Sequence, residues 1–181
     1  MEVSKALGLF RKILNDQSKQ ETWIELMKQQ NDLMLIAILN DEIIGGAFGR
    51  AVKTELLVDK VAVDENHRGK GIAKQLVLLL EENAKARNIN RVIIDSTDTG
   101  ELFYCRMDYT GYLIVQSEVF SNEQLLSLNH KFDVYSTNVI KDGKVNQIVL
   151  RLSEPGGELQ KKYIKTFPGC ITYLNYIKEF R

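Results

Sequence analysis

Residues 61–73, Val-Ala-Val-Asp-Glu-Asn-His-Arg-Gly-Lys-Gly-Ile-Ala, run from a strand pattern into a turn punctuated by two glycines, and then into an amphipathic stretch from Lys74 to Arg87. That order commits the chain to a strand, a tight loop and a helix. The first N–H groups of a helix have no partners within it, and the aligned peptide dipoles add positive charge there. Gly69 and Gly71 carry no Cβ, so the chain can turn sharply and a diphosphate can approach the main chain closely. Arg68 and Lys70 add formal charge. The join is an anion site.

The flanks sharpen the reading. Alternation along Glu55 to Val63 puts Leu57, Asp59, Val61 and Val63 on one face of a strand and Val58, Lys60 and Ala62 on the other. Helical spacing puts Ile72, Leu76, Leu79, Leu80 and either Asn83 or Ala84 on an apolar stripe, with Glu81, Glu82, Lys85 and Arg87 on the wet side. What the loop lacks is equally informative. No glycine has the downstream Gly-Lys-Ser/Thr of a Walker loop, which disfavours a P-loop kinase or GTPase. Lys74 stands where a dinucleotide fingerprint needs its third Gly or Ala, which disfavours a Rossmann site.

Around this unit the patterns predict two opening helices, Glu2 to Leu14 and Gln20 to Gln30, then a hairpin of Leu33 to Leu39 with Ile43 to Val52 across Asn40-Asp41. Gly45, Gly46 and Gly49 thin the second strand, either for a bulge or for close approach of another backbone or a ligand. Arg91 to Ser96 reads as the strand after the helix, and Gly111 to Phe120 as another. Ser121 to Gln124 looks like a helix cap. Phe132 to Ile140 and Val145 to Leu152 flank Lys141-Asp142-Gly143-Lys144, a hairpin signal. An aromatic tail follows, with Tyr163, Phe167, Tyr173, Tyr176 and Phe180; it either packs a small core or caps a pocket or a second subunit, and its spacing favours the core.

At 181 residues, 44% hydrophobic and 27% charged, the chain has the composition of an ordinary soluble protein with one good core. With 24 basic and 24 acidic residues and no long run of either sign, it is a poor partner for nucleic acid. Cys105 and Cys170 have neither metal nor redox spacing, and no stretch reads as a signal peptide or a membrane span. The expectation is a cytoplasmic protein with no metal, no membrane partner and no nucleic acid.

Arg68-Gly69-Lys70-Gly71-Ile72-Ala73 fits the pattern Gln or Arg, two residues, Gly, one residue, Gly or Ala, and resembles the acetyl-CoA diphosphate loop of the GNAT superfamily of N-acetyltransferases. The preceding strand, the following strand at Arg91 to Ser96, and Leu102 to Tyr109, which resembles the family's Phe-Tyr-x-x-x-Gly-Phe signature, occur in the family's order. Asp108 and Tyr109 depart from that signature's Gly and Phe; Asp tolerates left-handed backbone, so the turn survives. The resemblance spans roughly residues 30 to 115. It implies an α/β fold with a mixed, twisted sheet, antiparallel at first and then parallel, and helices on both faces. Residues 1–119 would form the acetyltransferase core, and 120–181 a C-terminal extension with a helix, a hairpin and the aromatic tail. Acetyl-CoA would be the co-substrate, and a small-molecule or peptide amine the acceptor.

The resemblance also implies roles. The loop Arg68, Gly69, Lys70, Gly71, Ile72, Ala73 and Lys74 would hold the diphosphate, although Lys74 could equally point to water. Main chain at Val61, Ala62 and Val63 would take the pantetheine arm in strand fashion, with the Val61 N–H polarising the thioester carbonyl. Direct attack by an amine needs a base and an acid. Tyr104 matches the family's acid, against the alternative of a core aromatic. Glu55 and Asp59 lie four apart on the strand and share a face; either serves as base or binds a water that does, or both are surface carboxylates. Glu55 is farther from the loop, nearer where an acceptor would enter. His67 and His130 read as bystanders, and Cys105 as packing rather than a nucleophile. A non-catalytic acyl-CoA-binding sensor or assembly protein is the alternative from another class. The added hairpin offers an edge for a homodimer.

Overall fold

The computed structural model describes residues 2–14, 19–96, 100–128 and 131–180; His130 lies outside the described residues. The chain divides into two compact units, one running to Ile93 and including the segment from Glu179, the other Ile94–Lys178. Both contribute strands and helices to a mixed α/β fold.

In the first unit, α1 (Glu2–Leu14) and α2 (Gln20–Gln30) precede β1 (Met34–Leu39), β2 (Glu42–Val52) and β3 (Glu55–Val63), which pair antiparallel in that order. Asn40 and Asp41 turn the first hairpin with φ of 49° and 62°, as two-residue hairpin loops require. After α3 (Ile72–Ala86) the chain returns in β4 (Arg91–Asp95), next to β3 in the strand order; such a helical crossover is what a parallel neighbour needs. Helices cover both faces of these strands, and the β2 glycines record it. A Cβ on Gly46 would lie 2.9 Å from the Phe10 ring of α1, whereas one on Gly45 would lie 3.3 Å from Ile72 of α3. Phe10, Trp23 and Phe48 form the aromatic centre on the α1 side, Phe10 meeting Phe48 edge-on at 4.8 Å.

Two expectations are corrected. The strand alternation breaks because Lys60 faces Phe48 while Val58 faces Gly49, leaving Asp59 as an extra, bulged residue. Leu57 therefore sits opposite Arg50 on the α1 side, and Val61 and Val63 opposite Ala47 and Gly45 on the α3 side. On α3 the buried stripe is Leu76, Val77, Leu80 and Ala84, while Leu79 is 47% exposed and Glu81 is buried. Ala73 rather than Ile72 starts the i, i+3, i+4, i+7, i+11 series, which rotates the face by one position.

In the second unit, α4 (Glu101–Cys105) leads to β5 (Thr110–Ser117), α5 (Asn122–Leu126), β6 (Asp133–Ile140), β7 (Val145–Leu152), α6 (Gly157–Thr166) and β8 (Ile171–Glu179). The strand order here is β8-β5-β7-β6, every pair antiparallel. Ser121 caps α5 reciprocally with Gln124. Leu113, Val115, Ile148, Leu150 and Leu174 of the strands pack against Leu125, Tyr163 and Phe167. The tail therefore contributes a helix, a strand and three residues of this core, Tyr163, Phe167 and Leu174. Residues 120–178 share this unit with 94–119.

Candidate functional site

β3 ends where the Asp64 N–H donates to the Ile44 carbonyl at 2.8 Å. The Asp64 carboxylate then accepts the Asn66 N–H at 3.0 Å and starts a single turn of 3-10 helix, Glu65–His67. Lys12 of α1 reaches the same carboxylate at 3.3 Å and His67 Nδ1 lies 3.4 Å from it. The Asn66 amide, with Lys12 and His67 behind it, holds the Asp64 carboxyl below its usual range. His67 is thus turned toward Asp64.

The loop that follows is stitched to its own carbonyls. Arg68 Nε donates to the Val63 carbonyl at 3.2 Å and Lys70 Nζ to that of Asn66 at 3.3 Å. Gly69 and Gly71 take φ of 75° and 81°, the left-handed region that side chains avoid. A Cβ at either would meet nothing within 4 Å, so the outer side of the turn is open. Gly71 is the cap of α3, and the Gln75 N–H closes the first helical bond on its carbonyl at 3.0 Å. No side chain caps this end and no acidic residue stands in the first turn, where Lys74 is exposed. Exposed Arg68, Lys70 and Lys74, two left-handed glycines and an uncapped helix start leave a cationic cradle lined by main chain.

On β3, Val61 is half-buried, Ala62 and Val63 are buried, and they pair with Ala47, Gly46 and Gly45. Both sequence-predicted carboxylates of this strand have arginine partners. Arg50 Nε donates to both oxygens of Asp59, at 3.2 and 3.0 Å. Arg91 bridges Glu55 at 3.2 Å and Glu179 at 2.7 Å. The bulge turns Asp59 toward Arg50, the cross-strand neighbour of Leu57. These arginines were not legible beforehand: Arg91 lies 36 positions from Glu55.

Tyr104 belongs to the second unit. It sits on the short α4, is 7% exposed, and is ringed by Phe103, Tyr109 and Tyr176 at centroid distances of 5.0, 5.9 and 5.8 Å. Among the described residues its hydroxyl has no hydrogen-bond partner, and burial pushes its pKa up to about 12. Such a phenol keeps its proton at neutral pH with the donor uncommitted. Asp108, in the position of the expected glycine, takes φ of 63° and keeps the turn. Cys105 is a free, half-buried thiol. Glu101, absent from the sequence reading, is 3% exposed and accepts hydrogen bonds from Gly156, Gly157 and Tyr176. Its partners lie 55 to 75 positions away, so no local spacing could have exposed it.

Residues 4–123, two thirds of the chain, match the family described as Acetyltransferase (GNAT) domain. The chain belongs to the GNAT acetyltransferase family. The fold of this GNAT protein is also similar to solved structures at low identity. Ard1 from Thermoplasma volcanium aligns over 84% of this chain and 93% of its own with a TM-score of 0.55 and 12% identity. The NatC complex bound to Gag peptide and CoA aligns over 83% and 91%, with a TM-score of 0.53 and 14% identity. An aminoglycoside acetyltransferase from an uncultured soil metagenomic sample aligns over 59% and 79%, with a TM-score of 0.51 and 19% identity. No curated protein matches the GNAT chain. No helix among its described residues is long and apolar enough to cross a membrane.

Proposed function

We propose that this GNAT protein is an N-acetyltransferase that moves the acetyl group of acetyl-CoA to a primary amine by direct attack. The observation that carries the reading is the cradle at Gly69 and Gly71, open on its outer side, cationic, and uncapped by any side chain. A carboxylate at that helix start would have repelled a diphosphate; none stands there.

Each residue then has a task. The N–H groups at the start of α3, with Arg68, Lys70 and Lys74, take the diphosphate charge. The main chain of Val61 to Val63 takes the pantetheine arm as an added strand would, and the Val61 N–H polarises the thioester carbonyl. Tyr104 holds a proton at its hydroxyl for the departing thiolate. Glu55 and Asp59, each already accepting from an arginine, serve as acceptors that orient a water, through which the proton of the amine passes on to solvent. The acceptor is a small-molecule or peptide amine; two proteins of similar fold, one named for aminoglycosides and one bound to a peptide, put both classes in the panel.

The same arginine pairs favour a second reading, an acyl-CoA-binding protein without turnover, because they leave neither β3 carboxylate unpaired. Thiol release from acetyl-CoA, measured against a polyamine, an amino-acid amide, an aminoglycoside and a peptide with a free N-terminus, separates the two. Release with at least one amine supports transfer. Tight binding of CoA with no release for any of them supports the sensor.

A further inference from the structure

Tyr104 can serve as acid only if α4 is held still, and α4 has five residues, too few to be stable by itself. Three positions before Tyr104, about one helical turn, stands the buried Glu101. A buried carboxylate is costly unless its oxygens are satisfied. Here they are: one accepts the Gly157 N–H at 3.0 Å, the other the Gly156 N–H and the Tyr176 hydroxyl, the latter at 2.8 Å.

The geometry explains why the cap comes from so far away. Gly156 is the cap position of α6 and has an ordinary φ of −96°, so its backbone does not require glycine. Packing favours it: a Cβ there would lie 2.5 Å from Leu152 Cδ1 and 2.7 Å from Leu174 Cδ2. A Ser, Thr or Asp cap would require the ends of both leucine side chains to shift, and the start of α6 finds its acceptor elsewhere. Glu101 supplies it, with a charge matched to the helix dipole. The third bond closes the loop, because the Tyr176 ring that donates to Glu101 also packs on the Tyr104 ring.

We infer that Glu101 is the positioning residue for Tyr104: it pins α4 to the start of α6 and, through Tyr176, fixes the ring that carries the acid. The inference rests on the N-acetyltransferase reading for its consequence in catalysis, but the tether itself can be tested without turnover.

Glu101→Gln keeps the size of the side chain and sets an amide against donors that need an acceptor; Tyr176→Phe removes one bond of the three. Thiol release is followed with acetyl-CoA and the best amine of the panel, and 3-fluorotyrosine placed at position 104 gives a fluorine NMR signal. Glu101→Gln should lower kcat about tenfold while KM for acetyl-CoA stays within about twofold. In a Tyr104→Phe background the same substitution should lower kcat no more than about twofold, because the acid it positions is gone. The fluorine resonance should shift or broaden in both Glu101→Gln and Tyr176→Phe while far-UV circular dichroism is unchanged. An unmoved resonance with unchanged kcat in folded Glu101→Gln would overturn the inference, as would an equal fall in kcat with and without Tyr104. If Glu101→Gln does not fold, the resonance in Tyr176→Phe decides. Absence of thiol release by the parent protein would sink the catalytic reading alone, and the fluorine signal would still decide the tether.

Discussion

Tyr104 and Gly71 are the residues whose substitution separates chemistry from binding. Tyr104→Phe removes only a hydroxyl that has no hydrogen-bond partner among the described residues, so the fold should tolerate it. Its kcat should fall about a hundredfold, the usual scale for a lost acid, with KM for acetyl-CoA little changed; steady-state thiol release checks this, and an unchanged kcat would return Tyr104 to the core aromatics. Gly71 meets no neighbour that a Cβ would strike, so Gly71→Val acts only through its φ of 81° and through what a side chain places on the open side of the turn. At this scale the sequence showed residue types that answer to local rules. The left-handed Asp108 was legible because its short polar side chain tolerates that backbone. The arginines on Glu55 and Asp59, and the whole environment of Glu101, were not, because they are set by cross-strand register and by packing between distant segments.

Elements were more legible than contacts. Two opening helices, the first hairpin, the strand–loop–helix unit and the Asp-Gly hairpin all stand where period and turn chemistry put them. Face assignment fared worse. One bulged residue, Asp59, flips the second half of β3 to the opposite helix, and no alternation rule contains it. On α3 the stripe is rotated by one position, so Glu81 is buried and Leu79 is wet. The glycines of β2, open beforehand between a bulge and a close approach, serve both: the register shift falls beside Gly49, and Phe10 presses on Gly46. Gly46→Ala should therefore destabilise the fold by about 1–3 kcal/mol through overpacking. Phe10→Leu added to it should recover part of that loss. Urea midpoints of the single and double variants measure this; a neutral Gly46→Ala would mean that α1 can back away from β2 without cost.

For the molecule as a whole, three buried phenols set a response to alkali: Tyr104, Tyr163 and Tyr176, the last raised furthest, by burial and by the Glu101 carboxylate that it faces. Burial raises both Tyr104 and Tyr163 to about 12, and Tyr163 also donates to the Leu125 carbonyl at 3.1 Å. The folded state holds these protons more tightly than the unfolded chain does. The resulting stability is complete below about pH 10, the ordinary phenol value, and is lost as pH rises through the folded values, near 12 for Tyr104 and Tyr163. Tyr104 and Tyr163 each contribute on the order of 2–3 kcal/mol over that window. Denaturant midpoints should fall steadily as pH rises above about 10, with a shallower fall in Tyr104→Phe; no fall above pH 10 would place all three phenols in contact with water. If the bend at Gly69 and Gly71 grips the diphosphate of CoA as proposed, isothermal titration of the purified protein with CoA will register it. The parent protein should give a saturable heat, with an affinity that weakens at least about tenfold in Gly71→Val. No heat with the parent protein, or the same affinity with valine in the bend, would contradict that grip.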